Sequence, residues 1–303
     1  RVTVVAGKGD MATDGWNVYT AFSDQRRDSL LQRDRPGIWD PDKLASLGGT
    51  PFTANTSGGS ASPANFTIYR NGRPANITGN PYFASGCVAP GLPQTTVPST
   101  RTNANGANTC ITDPSIYPEL LPENQQVTLF TKAALAHGDG KIFSVELNLS
   151  RSYIDAISGP QPFGNNTDYD RLTASRRPLM ITSASPWYPG GSGGVPAVAG
   201  LNGEDLAVTW MLDELGAAKL HDVQTNHRLV VADEGQVKGW DYRVGASYGY
   251  SHRDSGFKEN LVRTPAVYAG VANGILNPFG AQDAAGRDYL ASISADGQNF
   301  REA

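Results

Sequence analysis

The fold is decided by residues 240–251, which read Trp-Asp-Tyr-Arg-Val-Gly-Ala-Ser-Tyr-Gly-Tyr-Ser. From Trp240 to Tyr250 every second residue is apolar or aromatic, and the residues between them are Asp, Arg, Gly and Ser. Successive side chains of a β-strand point to opposite faces, so a repeat of two gives one apolar and one polar face. This stretch therefore predicts a β-strand whose two faces meet different surroundings.

The same alternation recurs in residues 16–22, 127–135 and 143–149. The last two stretches flank the turn 137–141, which contains two glycines, and together they predict a hairpin. Helical periodicity is nearly absent, and only residues 213–220 are a helical candidate. We expect an all-β chain with about six strands. Its weaker strand candidates are residues 2–6, 206–212 and 227–234.

Three long segments without periodicity separate the predicted strands: residues 24–124, 154–205 and 252–303. Segments this long are uncommon as loops of compact domains. Strands joined by short turns at one end and long loops at the other are typical of outer-membrane barrels, whose extracellular loops are the long ones. We expect residues 1–303 to form one partial transmembrane antiparallel β-barrel domain, with these three segments as extracellular loops.

This topology allows one inward crossing between residues 154 and 234, which we assign to residues 227–234 and those before them. The candidate strand 206–212 then belongs to that same strand or to an extracellular extension. Aromatic residues at strand ends, such as Trp16 and Trp240, favour the barrel because aromatic girdles mark the membrane interfaces. Aromatic residues in the core of a β-sandwich explain the same pattern, so that alternative stays open.

Composition and motifs narrow the function. The 303 residues carry a net charge of −4 and no basic stripe, which argues against nucleic-acid binding. A transmembrane helix needs about 18 consecutive apolar residues, which the chain lacks, whereas a transmembrane strand needs far fewer. Residues 190–194 match the G-x-S-x-G nucleophile elbow, but prolines flank them where that motif needs a strand and a helix. We expect no enzymatic activity, no cofactor and no metal.

Cys87 and Cys110 lie in sequence rich in Gly, Pro, Asn and Ser. A metal site would need further ligands, and the four histidines show no metal spacing. The two cysteines therefore predict a disulfide, which would place this loop outside the reducing cytosol. Closing a loop of about 24 residues contributes on the order of 3 kcal/mol in the chain-entropy model.

Aromatic side chains in the long segments are the candidate ligand-binding residues, since such side chains stack on ligands. The alternative is that they pack the loops on one another. The candidates are Trp39, Tyr69, Tyr82, Phe83, Trp187 and Tyr188.

Several segments, taken in their order and spacing, resemble the TonB-dependent outer-membrane receptors, and within them a large proteobacterial subgroup with long disulfide-bearing outer loops. No single segment is strongly specific. The segments are Asp-Gly-Trp-Asn-Val-Tyr at 14–19, Ser-Pro-Trp-Tyr-Pro at 185–189, Thr-Trp-Met-Leu-Asp-Glu-Leu-Gly at 209–216, Arg-Leu-Val-Val at 228–231, Gly-Trp-Asp-Tyr at 239–242 and Ile-Leu-Asn-Pro-Phe-Gly at 275–280.

The resemblance implies a 22-stranded barrel filled by a plug domain, in the outer membrane of a Gram-negative bacterium. Such receptors import scarce ligands of the siderophore, cobalamin or oligosaccharide class, with energy passed through TonB from an inner-membrane complex. We expect this chain to be an early-to-middle portion of the barrel without the plug. Its expected partners are the ligand, the plug, the TonB complex and lipid. The alternative function is a secreted β-sandwich carbohydrate-binding module.

Overall fold

The computed structural model describes residues 1–31, 34, 60–98, 108–112, 116–117, 119–138, 140–164, 169–170, 175–176 and 178–302. It is 54% strand and 11% helix, so the prediction of a mostly-β chain with antiparallel sheets is confirmed. The strands are β1 (Val2–Lys8), β2 (Trp16–Arg27), β3 (Leu30–Leu31), β4 (Asn65–Arg70), β5 (Arg73–Gly79), β6 (Thr96–Pro98), β7 (Cys110–Thr112), β8 (Glu119–Leu121), β9 (Glu123–His137), β10 (Lys141–Gly159), β11 (Pro162–Phe163), β12 (Tyr169–Asp170), β13 (Ser175–Arg176), β14 (Leu179–Ile181), β15 (Asp205–Met211), β16 (Ala218–Val237), β17 (Trp240–Glu259) and β18 (Asn299–Glu302). The α-helices are α1 (Thr264–Ala272) and α2 (Ala284–Ser292), and 3-10 turns lie at Phe83–Ser85 and Asp213–Leu215.

The largest sheet, called the large sheet below, has seven antiparallel strands in the order β1-β2-β9-β10-β16-β17-β18. Its first six strands contain six of the predicted stretches. Within the described residues β1 and β18 are its two edges, and the sheet does not close into a barrel. Also within that part of the chain, no helix combines the length and the apolar character needed to span a membrane.

The large sheet has two unlike ends. At the turn end, β1 and β2, β9 and β10, and β16 and β17 are joined by short connections at residues 9–15, 138–140 and 238–239. At the opposite loop end, the chain leaves β2, β10 and β17 for the three long segments. The predicted separation of short turns from long connections is therefore present, and every long segment begins at one end of the sheet.

The strands run further than their alternation predicts. β10 continues to Gly159 and β17 to Glu259, so the second and third long segments begin later than residues 154 and 252. β16 is a single strand of 20 residues beginning at Ala218, and the helical candidate 213–220 contains only a 3-10 turn. Continued pairing with β10 and β17 holds these polar residues in strand conformation, although their sequence does not alternate cleanly.

The long segments contain regular structure that their sequence does not predict. The candidate strand 206–212, which follows the second long segment, is confirmed as β15, but it lies in a different sheet and does not continue β16. That five-stranded sheet has the order β11-β15-β4-β5, with β14 also paired to β15. Helices α1 and α2 lie within the predicted loop 252–303, and α2 begins where Asp283 accepts a hydrogen bond from the Gly286 N–H at 2.8 Å.

These elements pack into one unit at the loop end, which we call the cap: described residues 60–98, 108–112, 160–217 and 260–298. Its hydrophobic core contains side chains of the five-stranded sheet and of both helices. Together these elements come from three different segments of the chain. The largest fully buried apolar side chains of this core are Phe163, Leu179, Ile181, Leu206, Val208, Leu212, Val267, Val271, Leu276 and Phe279.

Candidate functional site

One face of the large sheet is an exposed apolar surface. The register places Leu129 between Phe22 and Leu149 in one row of side chains. In the next row toward the turn end, Leu229 lies between Leu147 and Tyr248. Most large apolar side chains that the large sheet exposes lie on this face, which we call the apolar face. They include Val2, Val4, Trp16, Phe22, Leu135, Phe143, Leu229, Val237, Trp240, Val244, Tyr248 and Tyr250.

Exposure on this face is largest along β17, which among the described residues pairs only with β16 over this stretch, whereas Leu147 and Leu149 at the centre of the sheet are half-buried. Trp240 is 80% exposed, Val244 62% and Tyr248 67%. Exposed apolar patches of this extent mark surfaces that meet another protein or a membrane. Among the described residues, no second sheet covers the apolar face, as the core of a β-sandwich would require.

Polar groups lie toward both ends of the apolar face. On the loop side of Tyr250, Arg151 and His252 lie in the next row of the same face. At the turn end, the Asp233 carboxylate accepts a hydrogen bond from the Tyr242 hydroxyl and lies 2.5 Å from His137 Nε2. Polar residues therefore follow the apolar residues on the loop side, whereas at the turn end Asp233 shares a row with Phe143 and Val244 and Trp240 lies beyond it.

The opposite face of the large sheet is polar. Lys132 on β9 and Glu146 on β10 are register partners there, with 2.7 Å between Lys132 Nζ and Glu146 Oε1. Arg243 pairs with Glu234 on the same face at 3.6 Å. The pattern predicted from residues 240–251 thus recurs on β9, β10 and β16, although the polar face also carries Tyr19 and Phe130, whose rings are in contact.

The cap contains a cavity of about 460 Å³, called the cap cavity below. It lies between β4, β5, the turn that follows β5, Asn108 and the segment 197–201. Most of its side chains are apolar, and among the described residues none of the lining side chains is charged. Its apolar side chains include Phe66, Ile68, Ile77, Phe83, Val198 and Leu201, and its polar side chains are those of Thr78, Asn80 and Asn108.

Buried amides hold the wall of the cap cavity. The Asn80 side-chain amide donates to the carbonyls of Pro63 and Ala64 at 2.9 and 2.8 Å, and its oxygen accepts from the Tyr82 N–H at 2.9 Å. Asn80 is therefore committed to the wall, because buried polar groups need partners within the protein. Thr78 and Asn108 are the other two polar residues that line the cavity.

The disulfide also supports this wall. Cys87 and Cys110 are bonded, which confirms the predicted pairing. Asn65 on β4 binds the Cys110 backbone in both directions, donating to its carbonyl at 2.7 Å and accepting from its N–H at 2.8 Å. Asn108, two residues before Cys110, bridges to Gly79 at the cavity wall. The disulfide thereby fixes the segment that carries Asn108.

Gly79 permits close packing in the same wall. A Cβ atom at this position would lie 2.8 Å from the Phe66 ring. Any larger residue would displace the Phe66 ring, which lines the cavity, since packed interiors have few gaps to absorb it.

Four of the predicted ligand-binding aromatics lie in the first long segment, and the structure describes three of them. Phe83 lines the cap cavity and packs beside the disulfide. Tyr82 is half-buried against the main core of the cap, and burial raises the pKa of its hydroxyl. Tyr69 is half-buried on β4, where alternation turns it away from the face of Phe66 and Ile68. Trp39 lies outside the described residues.

The other two predicted aromatics belong to the second long segment. Trp187 is half-buried and donates from Nε1 to the Gly274 carbonyl at 2.9 Å. Tyr188 is buried and donates to the Glu204 carbonyl at 2.9 Å. Both side chains join parts of the cap to one another, in line with the packing alternative, and neither lines the cap cavity.

The sequence did not single out the other residues of the cap cavity. Phe66 and Ile68 alternate on β4, a signal too short to stand out beside the long strands. Ile77, Val198 and Asn108 come from separate segments and show no common pattern. Their grouping follows from tertiary packing alone.

A second cavity of about 350 Å³ lies between the 3-10 turn at Asp213–Leu215 and α2, and three charged side chains line it: Glu214, Arg287 and Asp296. Burial raises the pKa of Glu214, whose Oε2 accepts from the Gln282 N–H at 2.9 Å. Arg287 donates to the Gln282 carbonyl at 2.6 Å. The two cavities of the cap thus differ in charge.

Candidate chemistry elsewhere is sparse in the described part of the chain. Residues 190–194, which match the nucleophile elbow, lie in successive turns without the strand and helix that this motif needs. Among the described residues, no three His, Cys, Asp or Glu side chains are grouped so that they would hold a metal ion. The described side chains of the cap cavity, apolar with a hydroxyl and two amides, are of the kind that line small-molecule sites.

Comparisons with protein-family models, with curated proteins and with solved structures found no match to this chain.

Proposed function

We propose that the chain is part of a ligand-capturing receptor of the bacterial outer membrane, related in kind to the TonB-dependent receptors that its segments resemble. In this proposal the large sheet belongs to a transmembrane β-barrel, the apolar face meets lipid and the polar face lines the interior. The cap lies on the extracellular side and binds the ligand. A plug domain and the TonB complex would be its protein partners, and import into the periplasm its task.

The single observation that carries the proposal is the exposed apolar band on one face of the large sheet, whose opposite face is mostly polar. Trp240 and Tyr250 bracket about ten residues of β17, or about 33 Å along a strand at 3.3 Å per residue. Strands of membrane barrels tilt by about 40°, which reduces this length to a height of about 25 Å. That height, measured between the two outer aromatic residues, matches the apolar band of outer-membrane barrels, which aromatic girdles flank; its turn-end part also contains Asp233.

The position of the long segments supports the same proposal. All three leave the large sheet at the loop end, and the short turns lie at the other end. Outer-membrane barrels have this asymmetry, with long loops outside the cell. The β-sandwich alternative gains no such support, because the apolar face remains open within the described residues.

Adjacent residues of β10 provide a test. Val145 lies on the apolar face, beside Val231, and Ser144 on the polar face, beside Ala232. The chain's two native cysteines are bonded to each other, so a Val145→Cys or Ser144→Cys variant carries one free thiol for a bimane fluorophore. Each labelled variant is reconstituted into phosphatidylcholine vesicles, some of whose lipids bear a nitroxide on the acyl chain.

We expect nitroxide lipid to quench the label at residue 145 strongly and the label at residue 144 weakly. Aqueous iodide should show the reverse preference. Equal quenching by lipid at both positions, or none at either, would contradict the membrane assignment.

A further inference from the structure

We infer that the cap cavity binds an uncharged ligand that presents an apolar face together with hydroxyl groups, as a pyranoside ring does. This inference rests on the proposed function and names the ligand class of its binding site. It depends on what lines the cavity: apolar side chains, one hydroxyl, two amides and, among the described residues, no charge.

Because the described lining carries no charge, ionic ligands are not the class that the cavity prefers. An ion that enters a mostly apolar cavity loses its hydration and needs an opposite charge in exchange. The cap cavity offers none among its described side chains. The second cavity provides the contrast within the same cap, since Glu214, Arg287 and Asp296 line it.

The shape and chemistry of the lining select among uncharged ligands. A volume of about 460 Å³ falls within the range of about 300–1,000 Å³ typical of small-molecule sites. Phe83 and Ile77 present aromatic and aliphatic surface to the apolar side of a ligand. Thr78 and Asn108 can each donate and accept hydrogen bonds, which suits a ligand with hydroxyl groups.

Two probes that differ in one group test the inference. 4-Nitrophenyl β-glucopyranoside carries a hydroxymethyl group where 4-nitrophenyl β-glucuronide carries a carboxylate. Binding to the full chain is measured by isothermal titration calorimetry in an amine-oxide detergent, which contains no sugar to compete. We expect the glucoside to bind at least about tenfold more tightly than the glucuronide. Equal affinities, tighter binding of the glucuronide, or no binding of either probe at millimolar concentration would overturn the inference.

A variant with altered charge locates the binding site. Ile77 is partly exposed at the cavity wall, so Ile77→Lys adds a cation there without removing a fully buried side chain. We expect this variant to bind the glucuronide at least about fivefold more tightly than the unaltered chain. Val88→Lys is the matched control, since Val88 is similarly exposed but does not line the cavity, and it should leave both affinities unchanged. The same gain in both variants, or in neither, would overturn the location.

The inference and the proposed function fail separately. If the lipid-quenching pattern holds but neither probe binds, the chain remains a membrane protein and the ligand class is wrong. If the glucoside binds as expected but both labels avoid lipid, the cap is a binding unit and the membrane assignment is wrong.

Discussion

Tyr248 in the large sheet is 67% exposed, whereas Trp210 in the cap is 2% exposed. The contrast is greatest between β17 and the core of the cap, since the central strands of the large sheet carry half-buried apolar side chains. The large sheet satisfies its backbone through long, regular pairing and leaves many of its apolar side chains uncovered. The cap has short strands and buries its apolar side chains in a common core.

The difference shows that one chain can use two sources of stability. In the cap, removing apolar surface from water drives packing, as in a water-soluble domain. In the large sheet, other described parts of the protein leave much of the apolar face exposed. Lipid covers this face in our proposal, and closed strand pairing satisfies the backbone there.

The largest expected effect breaks the cap and leaves the large sheet intact. Phe163 is fully buried in the cap core and packs against Trp210, with ring centroids 5.9 Å apart. Phe163→Ala removes this ring and leaves a cavity, which costs about 3–5 kcal/mol. Urea unfolding of the cap in detergent, followed by near-ultraviolet circular dichroism, measures the loss.

Tyr248→Ala is the matched control for Phe163→Ala. It also removes an aromatic ring, but from an exposed position, and should change the free energy of unfolding of the cap by no more than about 0.5 kcal/mol. Equal losses in the two variants would show that the cap and the large sheet are not stabilised differently.

The contrast between the regions also explains what the sequence predicted. Alternation is a local signal, so the strands through residues 16–22, 127–135, 143–149 and 240–250 were predicted from their own residues. Pairing with the neighbouring strands of the large sheet was not needed to predict them. The predicted disulfide likewise needed only two cysteines in a loop-like composition.

Apart from the strand at 206–212, the elements of the cap were not predicted, because its core is assembled from distant segments. Its strands are as short as two residues, and each of its helices has nine. Gly270 lies in α1, where glycine weakens the helical signal, yet a Cβ there would lie 2.6 Å from the Tyr289 ring of α2. The two helices therefore pack closely because residue 270 is glycine, and the same glycine weakens the sequence signal for α1.

The candidate site was predicted only in part for the same reason. Phe83 was selected as a loop aromatic and does line the cap cavity. Ile77 and Val198 are ordinary apolar residues whose proximity only the fold reveals. Asn80 has no motif, because its role in holding the wall depends on carbonyls that precede it by about 16 residues.

The second prediction separates the cap from the large sheet through the disulfide. Replacing both Cys87 and Cys110 by Ser removes the constraint on a loop of about 24 residues, at a cost of about 3 kcal/mol in the chain-entropy model. Because Asn108 is held beside Cys110, binding of the glucoside to the cap cavity should weaken as well. The amide I band of the large sheet should stay unchanged, since no part of the disulfide lies in it.

The same disulfide measurement has an outcome that would contradict it. If the folded double variant binds the glucoside with unchanged affinity, the disulfide does not organise the cavity wall. If the amide I band changes together with the cap, the two regions do not fold as separately as their burial indicates.

The smallest expected effect concerns Glu204, at the surface of the cap. Its carboxylate accepts from the Asn202 N–H at 2.7 Å and from Arg70 at 2.7 Å. These contacts, the Asn202 N–H foremost, lower the pKa of Glu204 from its ordinary value of 4.5 to about 2. A lowered pKa in the folded state means that the ionised form stabilises folding above pH 4.5. This contribution is lost as the pH falls from 4.5 toward 2.

Glu204→Gln should therefore remove a small acid-induced decrease in the thermal unfolding midpoint of the cap between pH 4.5 and 2. Arg70→Gln sharpens the measurement, because it removes the cation but leaves the Asn202 N–H in place. Exposed ion pairs contribute little on their own, so Arg70→Gln should retain most of the decrease that Glu204→Gln abolishes. An identical loss in both variants would assign the pKa shift to the ion pair. The local backbone turn at Asn202 would then have no part in it.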